Sequence, residues 1–167
     1  MSIKAAKFIC SIFNTFKPGS AVIAGGYVRD LVTGRSPKDI DILVEFGSTA
    51  DYAEVGILAD RLGYTVQDHS FGSSGNYEDD EDSELRRVIT LHKPNELTID
   101  ILFLNVTCME RIDNFPCNAS MFWLDGDDIR KTDQAKEWLA TNKLQFYKLA
   151  TTAYIQRMEN YFPECIR

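Results

Sequence analysis

Three aspartates carry the chemistry open to this sequence. Asp39 and Asp41 flank Ile40 at the head of an apolar run, DIDILV, and Asp100 stands alone inside another, LTIDILFLN. Carboxylates set into strand-like apolar segments are costly to bury unless cations sit among them. Side chains two apart on a strand point the same way, so Asp39 and Asp41 would share a face, with Cα atoms about 6.6 Å apart. Such a pair can share two Mg²⁺ ions roughly 3.5–4 Å apart, with Asp100 as a third ligand if its strand lies alongside. Magnesium, with manganese as the alternative, suits such oxygen sites and completes its shell with water and substrate phosphates. The plain alternative is that Asp39 caps its strand and Asp41 pairs with an Arg or Lys.

Upstream lies Gly25-Gly26, at a predicted strand-to-helix junction. Glycines let backbone approach a ligand closely, and the helix start that follows offers free N–H groups to phosphate. A tight turn alone would also explain them. Neither G-x-G-x-x-G nor G-x-x-x-x-G-K-[ST] occurs, which removes the dinucleotide fingerprint and the P-loop. His69 and His92 have no second ligand at metal spacing and read as structural or surface residues. The acidic run from Glu78 to Glu84 lacks the ligand alternation and central glycine of an EF-hand and reads as a solvated loop, open to a lid role. Phe103, Phe115, Phe122, Trp123 and Tyr154 could stack a base, but aromatics at such spacing read first as core.

The elements that must position these residues follow from pattern. Ala21 to Ala24 is a short buried-type strand; Val28, Leu31 and Val32 then take helical spacing, closed by Gly34. Ile40 to Val44 suits a strand. Ser48 with Asp51 has capping-box spacing before a helix that ends at Gly63. Residues 71–84, FGSSGNYEDDEDSE, read as a mobile loop. Leu85–Leu91 and Glu96–Leu104 look like strands joined across Lys93-Pro94-Asn95. From Asn118 onward helical signals dominate, with a last amphipathic helix marked by Phe146, Leu149, Ala153, Tyr154 and Tyr161 and stopped by Pro163. The fold class expected is α+β with an α/β-like core: a small mixed sheet, flanking helices and a helical C-terminus.

Composition narrows the partners. The chain has 167 residues, 44% hydrophobic and 26% charged, which suits one domain with a small appendage. Ala5, Ile9, Ile12, Phe13 and Phe16 make the N-terminus a packed amphipathic helix rather than a signal peptide. No apolar run has spanning length, so no membrane partner is expected. A net charge of −7 forfeits the counterion-release affinity that drives general nucleic-acid binding, which lowers the expectation of long nucleic-acid partners. Cys10, Cys108, Cys117 and Cys165 have no C-x-x-C spacing and read as reduced thiols of a cytoplasmic protein.

The segment GGYVRDLVTGRSPKDIDILVE resembles the signature of the head domain of tRNA nucleotidyltransferases and bacterial poly(A) polymerases, in the DNA polymerase β-like nucleotidyltransferase superfamily. The family pattern, G-G-x-V-R-D, a leucine-rich turn, then G-x-x-x-x-D-x-D-[ILF], is matched by Gly25, Gly26, Val28, Arg29, Asp30, Leu31, Gly34, Asp39 and Asp41. Asp100 fits the family's later acidic position. A second motif, R-R-D-F-T-x-N-A, has a blurred counterpart at Arg111, Asp113, Phe115, Asn118 and Ala119, with Ile112 for the second arginine, Pro116 for threonine and Asn114 inserted.

The resemblance implies a nucleotidyltransferase fold, with residues 1–125 as the catalytic head and 126–167 as a helical extension packed on it. It implies transfer of NMP from an NTP to an acceptor hydroxyl or phosphate, with release of pyrophosphate. By it, Asp39 and Asp41 would bridge both Mg²⁺ ions, and Asp100 would hold the nucleophile-side ion and could take the proton. Gly25 and Gly26 would face the β and γ phosphates, and Asn118 would contact nucleotide. Arg29 would contact phosphate or brace Asp30 or Asp41. Lys38 and Arg35 are candidate phosphate contacts, with a solvated turn as the alternative. The chain offers no E-D-x-x-R motif and no room for the neck, body and tail of the tRNA-acting relatives, so CCA addition is not expected of it. A minimal enzyme of this kind, such as a bacterial or phage accessory protein, would act on a small molecule, a protein or an RNA end. The second reading is an inactive NTP-binding or partner-binding module on the same fold. Base preference and oligomeric state are left open.

Overall fold

A computed structural model describes residues 2–69 and 84–165, so the acidic loop expected at 71–84 lies almost wholly outside the described residues. The elements run α1 (Ser2–Phe16), β1 (Ala21–Ala24), α2 (Gly26–Thr33), β2 (Asp39–Glu45), α3 (Thr49–Leu62), β3 (Thr65–His69), β4 (Leu85–His92), β5 (Thr98–Leu104), α4 (Cys108–Asp113), β6 (Phe122–Asp125), β7 (Asp128–Lys131), α5 (Asp133–Thr141) and α6 (Thr152–Tyr161). The strands form one mixed sheet in the order β3-β4-β5-β2-β1-β6-β7. Among the described strands only β2 and β5 pair in parallel; every other neighbour is antiparallel.

Strand alternation divides β2 and β5 into two faces. Ile40, Ile42 and Val44, with Ile99, Ile101 and Phe103, point to one side and are essentially fully buried. There the Phe103 ring packs edge-on against Phe13 of α1 and Tyr52 of α3. Ile9 and Phe13 are buried in α1, so the N-terminal segment is the packed amphipathic helix its spacing predicts. The opposite side of these two strands carries Asp39, Asp41 and Asp100.

Local signals hold where contacts are short-range. Gly34 and Gly63 cap α2 and α3 in the left-handed conformation, and Ser48 and Asp51 form the expected capping box. Three thiols, Cys10, Cys108 and Cys117, are buried and all four cysteines are free. Among the described residues no helix is long and apolar enough to cross a membrane.

The region after Asn118 departs from its helical expectation. Phe122–Asp125 and Asp128–Lys131 form a hairpin that joins the sheet where Trp123 pairs with Ala24. The two-residue turn is Gly126-Asp127, with Gly126 at φ 62°, a Gly-Asp hairpin signal that helical spacing obscures. The boundary expected after residue 125 thus falls inside this hairpin, whose two strands belong to the same sheet. The last helix begins at Thr152, capped by the Thr151 side chain, and not near Phe146. Phe146 instead bridges to Cys117, and the preceding chain is pinned by Asn118, which accepts from Gln145 N and donates to Lys143 O.

Candidate active site

Register brings the acidic residues to the middle of the sheet. Asp41 lies opposite Asp100 in the parallel β2–β5 pair, and Asp39 lies opposite Thr98. Asp100 lies opposite Thr90 of β4, and Asp41 opposite Ala24 of β1. One row, Thr90–Asp100–Asp41–Ala24, therefore crosses four strands on one face. Immediately after Ala24 the chain turns through Gly25 at φ 83° and ψ −139°, a conformation that L side chains rarely adopt. Gly25 N donates to Phe122 O and Gly25 O accepts from Arg29 N, so the start of α2 is fixed beside the row. A Cβ on Gly25 would stand 3.7 Å from Asp41 Oδ2, and one on Gly26 would stand 3.2 Å from an Arg29 guanidinium nitrogen.

A cavity of about 480 Å³ opens there, with Gly25, Gly26, Asp39 and Asp41 on its floor and Lys38 at its side. Arg111 and Phe115, from α4 and the turn after it, form one wall. The other wall is α6, through Tyr154, Arg157, Met158 and Tyr161. Arg29 also lines the cavity. It is buried, pairs with Asp30 at 3.0 Å, and lies under the rings of Tyr161 and Phe162 at 5.0 and 5.2 Å. Of the two roles left open for Arg29, the ion pair with Asp30 is thus formed.

Two of the residues expected at the site stand apart from the cavity. Asn118 is 1% exposed, and its amide is spent on the Lys143 and Gln145 backbone, not on the cavity. Asp100 does not line the cavity either; its Oδ1 accepts from the Thr90 hydroxyl at 2.6 Å, and the side chain is buried. His92 meets Gln67 on the surface, as expected of it. His69, read with His92 as structural or surface, contacts Thr90. Sequence reasoning misses Arg157 and Tyr161 as parts of the site, leaves Arg111 inside a blurred motif and reads Tyr154 first as core. The spacing Tyr154, Arg157/Met158, Tyr161 on one face of α6 is a usable signal, though it points as readily to core.

The electrostatics are those of crowded anions. Burial, then the charges of Asp39 and Asp100, hold the Asp41 carboxyl well above its usual range, against Arg111 and Arg29. Burial, then Asp100, raises Asp39 as well, against Arg29 and Lys38. Arg111 is itself paired with Glu84 at 3.1 Å, which limits what it can neutralise. A divalent cation between Asp39 and Asp41 would offset the burial and the neighbouring negative charge that raise both, and their donor chemistry fits magnesium. Among the described residues, however, no group of three or more His, Cys, Asp or Glu side chains is gathered closely enough to hold a metal. The pair fits the ion; the third carboxylate is turned to Thr90.

No family model and no curated protein matches the sequence. Solved structures do. The Thermotoga maritima CCA-adding enzyme complexed with tRNA superposes with a TM-score of 0.61 at 19% identity, covering 95% of this chain and 35% of that one. A CCA-adding enzyme complexed with ATP gives a TM-score of 0.66 at 20% identity, covering 99% and 40%. The Bacillus stearothermophilus CCA-adding enzyme in complex with CTP gives 0.57 at 13%, covering 86% and 33%. The chain thus spans well under half the length of these enzymes. It has the nucleotidyltransferase fold of the CCA-adding enzyme head.

Proposed function

We propose that this chain is a metal-dependent nucleotidyltransferase that moves NMP from an NTP to an acceptor hydroxyl or phosphate and releases pyrophosphate. The observation that carries the reading is the meeting of Asp39 and Asp41 with the Gly25-Gly26 helix start in one cavity. It is strengthened by the fold shared with enzymes solved with ATP and with CTP. Bound between Asp39 and Asp41, Mg²⁺ would lower the pKa of the acceptor and offset charge on the leaving oxygens. The chain's own residues would do the rest. Gly25 and Gly26 would offer backbone to the β and γ phosphates, and Lys38 would add a positive charge at the mouth. Arg29, held by Asp30, would lend its field without leaving its ion pair. The acceptor oxygen would bond to the α-phosphorus as the bond to the bridging oxygen breaks, its proton passing to water, while Asp100, which lies outside the cavity, would act through its charge on Asp39 and Asp41. Residues 1–125 and 126–167 would act together, since α6 walls the cavity. The acceptor would be a small molecule, a protein or an RNA end, and buried, raised thiols suit a reducing cytoplasm.

A second reading, a non-catalytic NTP- or partner-binding module, draws support from the engagement of Asp100 with Thr90. Incubation with Mg²⁺, α-labelled NTPs and candidate acceptors separates the two. Label transfer by the wild type and none by Asp39→Ala supports the enzyme. NTP binding with no transfer by either protein supports the module.

A further inference from the structure

We propose that His69, acting through Thr90, is a positioning residue that sets the orientation of the Asp100 carboxylate. The inference rests on the nucleotidyltransferase reading for its catalytic consequence, though not for its geometry. Thr90 is 5% exposed and Asp100 7%, so little water competes at either. The Thr90 hydroxyl has one proton, and it goes to Asp100 Oδ1 at 2.6 Å. His69 Nε2 lies 2.8 Å from the same hydroxyl oxygen. Since that oxygen can offer His69 only a lone pair, Nε2 carries the proton and donates. The chain of donors is therefore directed: His69 Nε2–H to Thr90 Oγ1–H to Asp100 Oδ1.

The sheet builds this arrangement. Thr90 lies opposite Asp100 on β5, and His69 lies opposite Val88, one step along the face from Thr90. His69 thus reaches Thr90 as a diagonal cross-strand neighbour. Threonine is branched at Cβ, which leaves its χ1 few choices and its hydroxyl a fixed aim. A donor from His69 also polarises the hydroxyl and strengthens its bond to the carboxylate. The consequence falls on Asp100: one oxygen is committed to β4, so rotation of the carboxylate about its own axis is stopped. Partners of this kind, one bond removed from the reacting groups, are commonly worth about 10–100-fold in metal affinity or activity.

The test uses Thr90→Val and His69→Phe, which delete the hydroxyl and the ring donor, against Thr90→Ser and His69→Gln, which supply a hydroxyl and an amide N–H donor in their place. Two readouts are taken on the full chain: kcat and KM for NTP with Mg²⁺, and the ¹³C resonance of the Asp100 side-chain carboxyl. Thr90→Val and His69→Phe are expected to lower kcat by about 10–100-fold with NTP KM little changed, and to move the Asp100 resonance. Thr90→Ser and His69→Gln are expected to restore both. His69→Phe added to Thr90→Val should move the Asp100 resonance no further, because His69 reaches that carboxylate through the hydroxyl. An unmoved Asp100 resonance in folded His69→Phe overturns the proposal, as does full additivity of the pair. If the wild type transfers no nucleotide, the functional reading fails by itself and the carboxyl resonance still decides the clamp.

Discussion

The phenol of Tyr161 donates a hydrogen bond to Asp30 Oδ2 at 3.1 Å, joining residues 131 apart in the chain. The other carboxylate oxygen of Asp30 is held by Arg29 Nε at 3.0 Å. The Tyr161 ring also faces the guanidinium of Arg29 at 5.0 Å and that of Arg35 at 5.1 Å. Three cationic side chains, counting Lys38 at 5.3 Å, thus gather around one ring at the cavity wall. The C-terminal helix is in this way tied to the helix that starts at the glycine pair.

Tyr161→Phe keeps the ring and removes the hydroxyl from buried Asp30. Net loss of such a bond to a charged group is about 1.5–3 kcal/mol, and urea unfolding monitored by tryptophan fluorescence should read it as a lower midpoint. Tyr161→Ala also removes the ring from the cations and should lose more. Equal midpoints for the two variants would mean that the ring stacking contributes nothing.

Asn118 separates a binding role from a structural one. Its amide accepts from Gln145 N at 3.0 Å and donates to Lys143 O at 2.9 Å inside a buried pocket. Asn118→Ala leaves those backbone groups without partners and should cost about 1–3 kcal/mol of stability. NTP affinity, measured by calorimetry below the melting range, should stay near the wild-type value. A large affinity loss in a variant with unchanged melting would return Asn118 to the nucleotide site.

How far the sequence can be read tracks the range of the contacts involved. The β1–α2–β2 unit is legible because a glycine pair, a left-handed Gly34 cap and alternating Ile40, Ile42 and Val44 act within a few residues of one another. Thr107 and Glu110 form a second capping box of the same local kind. The β6–β7 hairpin is hidden because its strands are four residues each and β7 is wholly exposed, which leaves little apolar alternation. The role of α6 is hidden because it depends on Tyr161 meeting Asp30, a contact with no local signal. Motif likeness puts Asn118 with nucleotide, whereas the fold of this chain puts its amide against the 143–145 backbone. Asp39 and Asp41 can be placed together from spacing alone; that Asp100 is bonded to Thr90 cannot.

Gly25 tests the backbone half of the site. At φ 83° and ψ −139°, outside the left-handed helical region, an alanine would carry roughly 1–3 kcal/mol of backbone strain, while its Cβ would meet Asp41 Oδ2 at an ordinary 3.7 Å. The chain can relieve that strain only by shifting the start of α2. A displacement of about 1 Å at a reacting centre commonly removes about 10²-fold in rate. Gly25→Ala is therefore expected to melt only a few degrees lower yet to lose about two orders of magnitude in nucleotide transfer. Wild-type kinetics in this variant would show that the turn is needed for folding geometry alone.

Asp41 should make the folded protein less stable as pH rises. Burial and the charges of Asp39 and Asp100 raise its folded pKa above the unfolded value of about 3.9. Between those two values the native state retains a proton that the unfolded chain has released, so the slope of unfolding free energy against pH is negative there. The favourable contribution is complete below the unfolded pKa and is lost as pH climbs through the folded one. At neutral pH an ionised Asp41 is then a liability, and Asp41→Asn should raise the melting temperature while abolishing transfer. Mg²⁺ with ATP should recover stability in the wild type, by about 2.7 kcal/mol at a hundredfold excess over Kd, and not in Asp41→Asn. Melting curves from pH 4 to 8, with and without Mg²⁺ and ATP, measure all three effects. A variant less stable than wild type at pH 7 would mean that the cations around Asp41 outweigh its burial and its anionic neighbours.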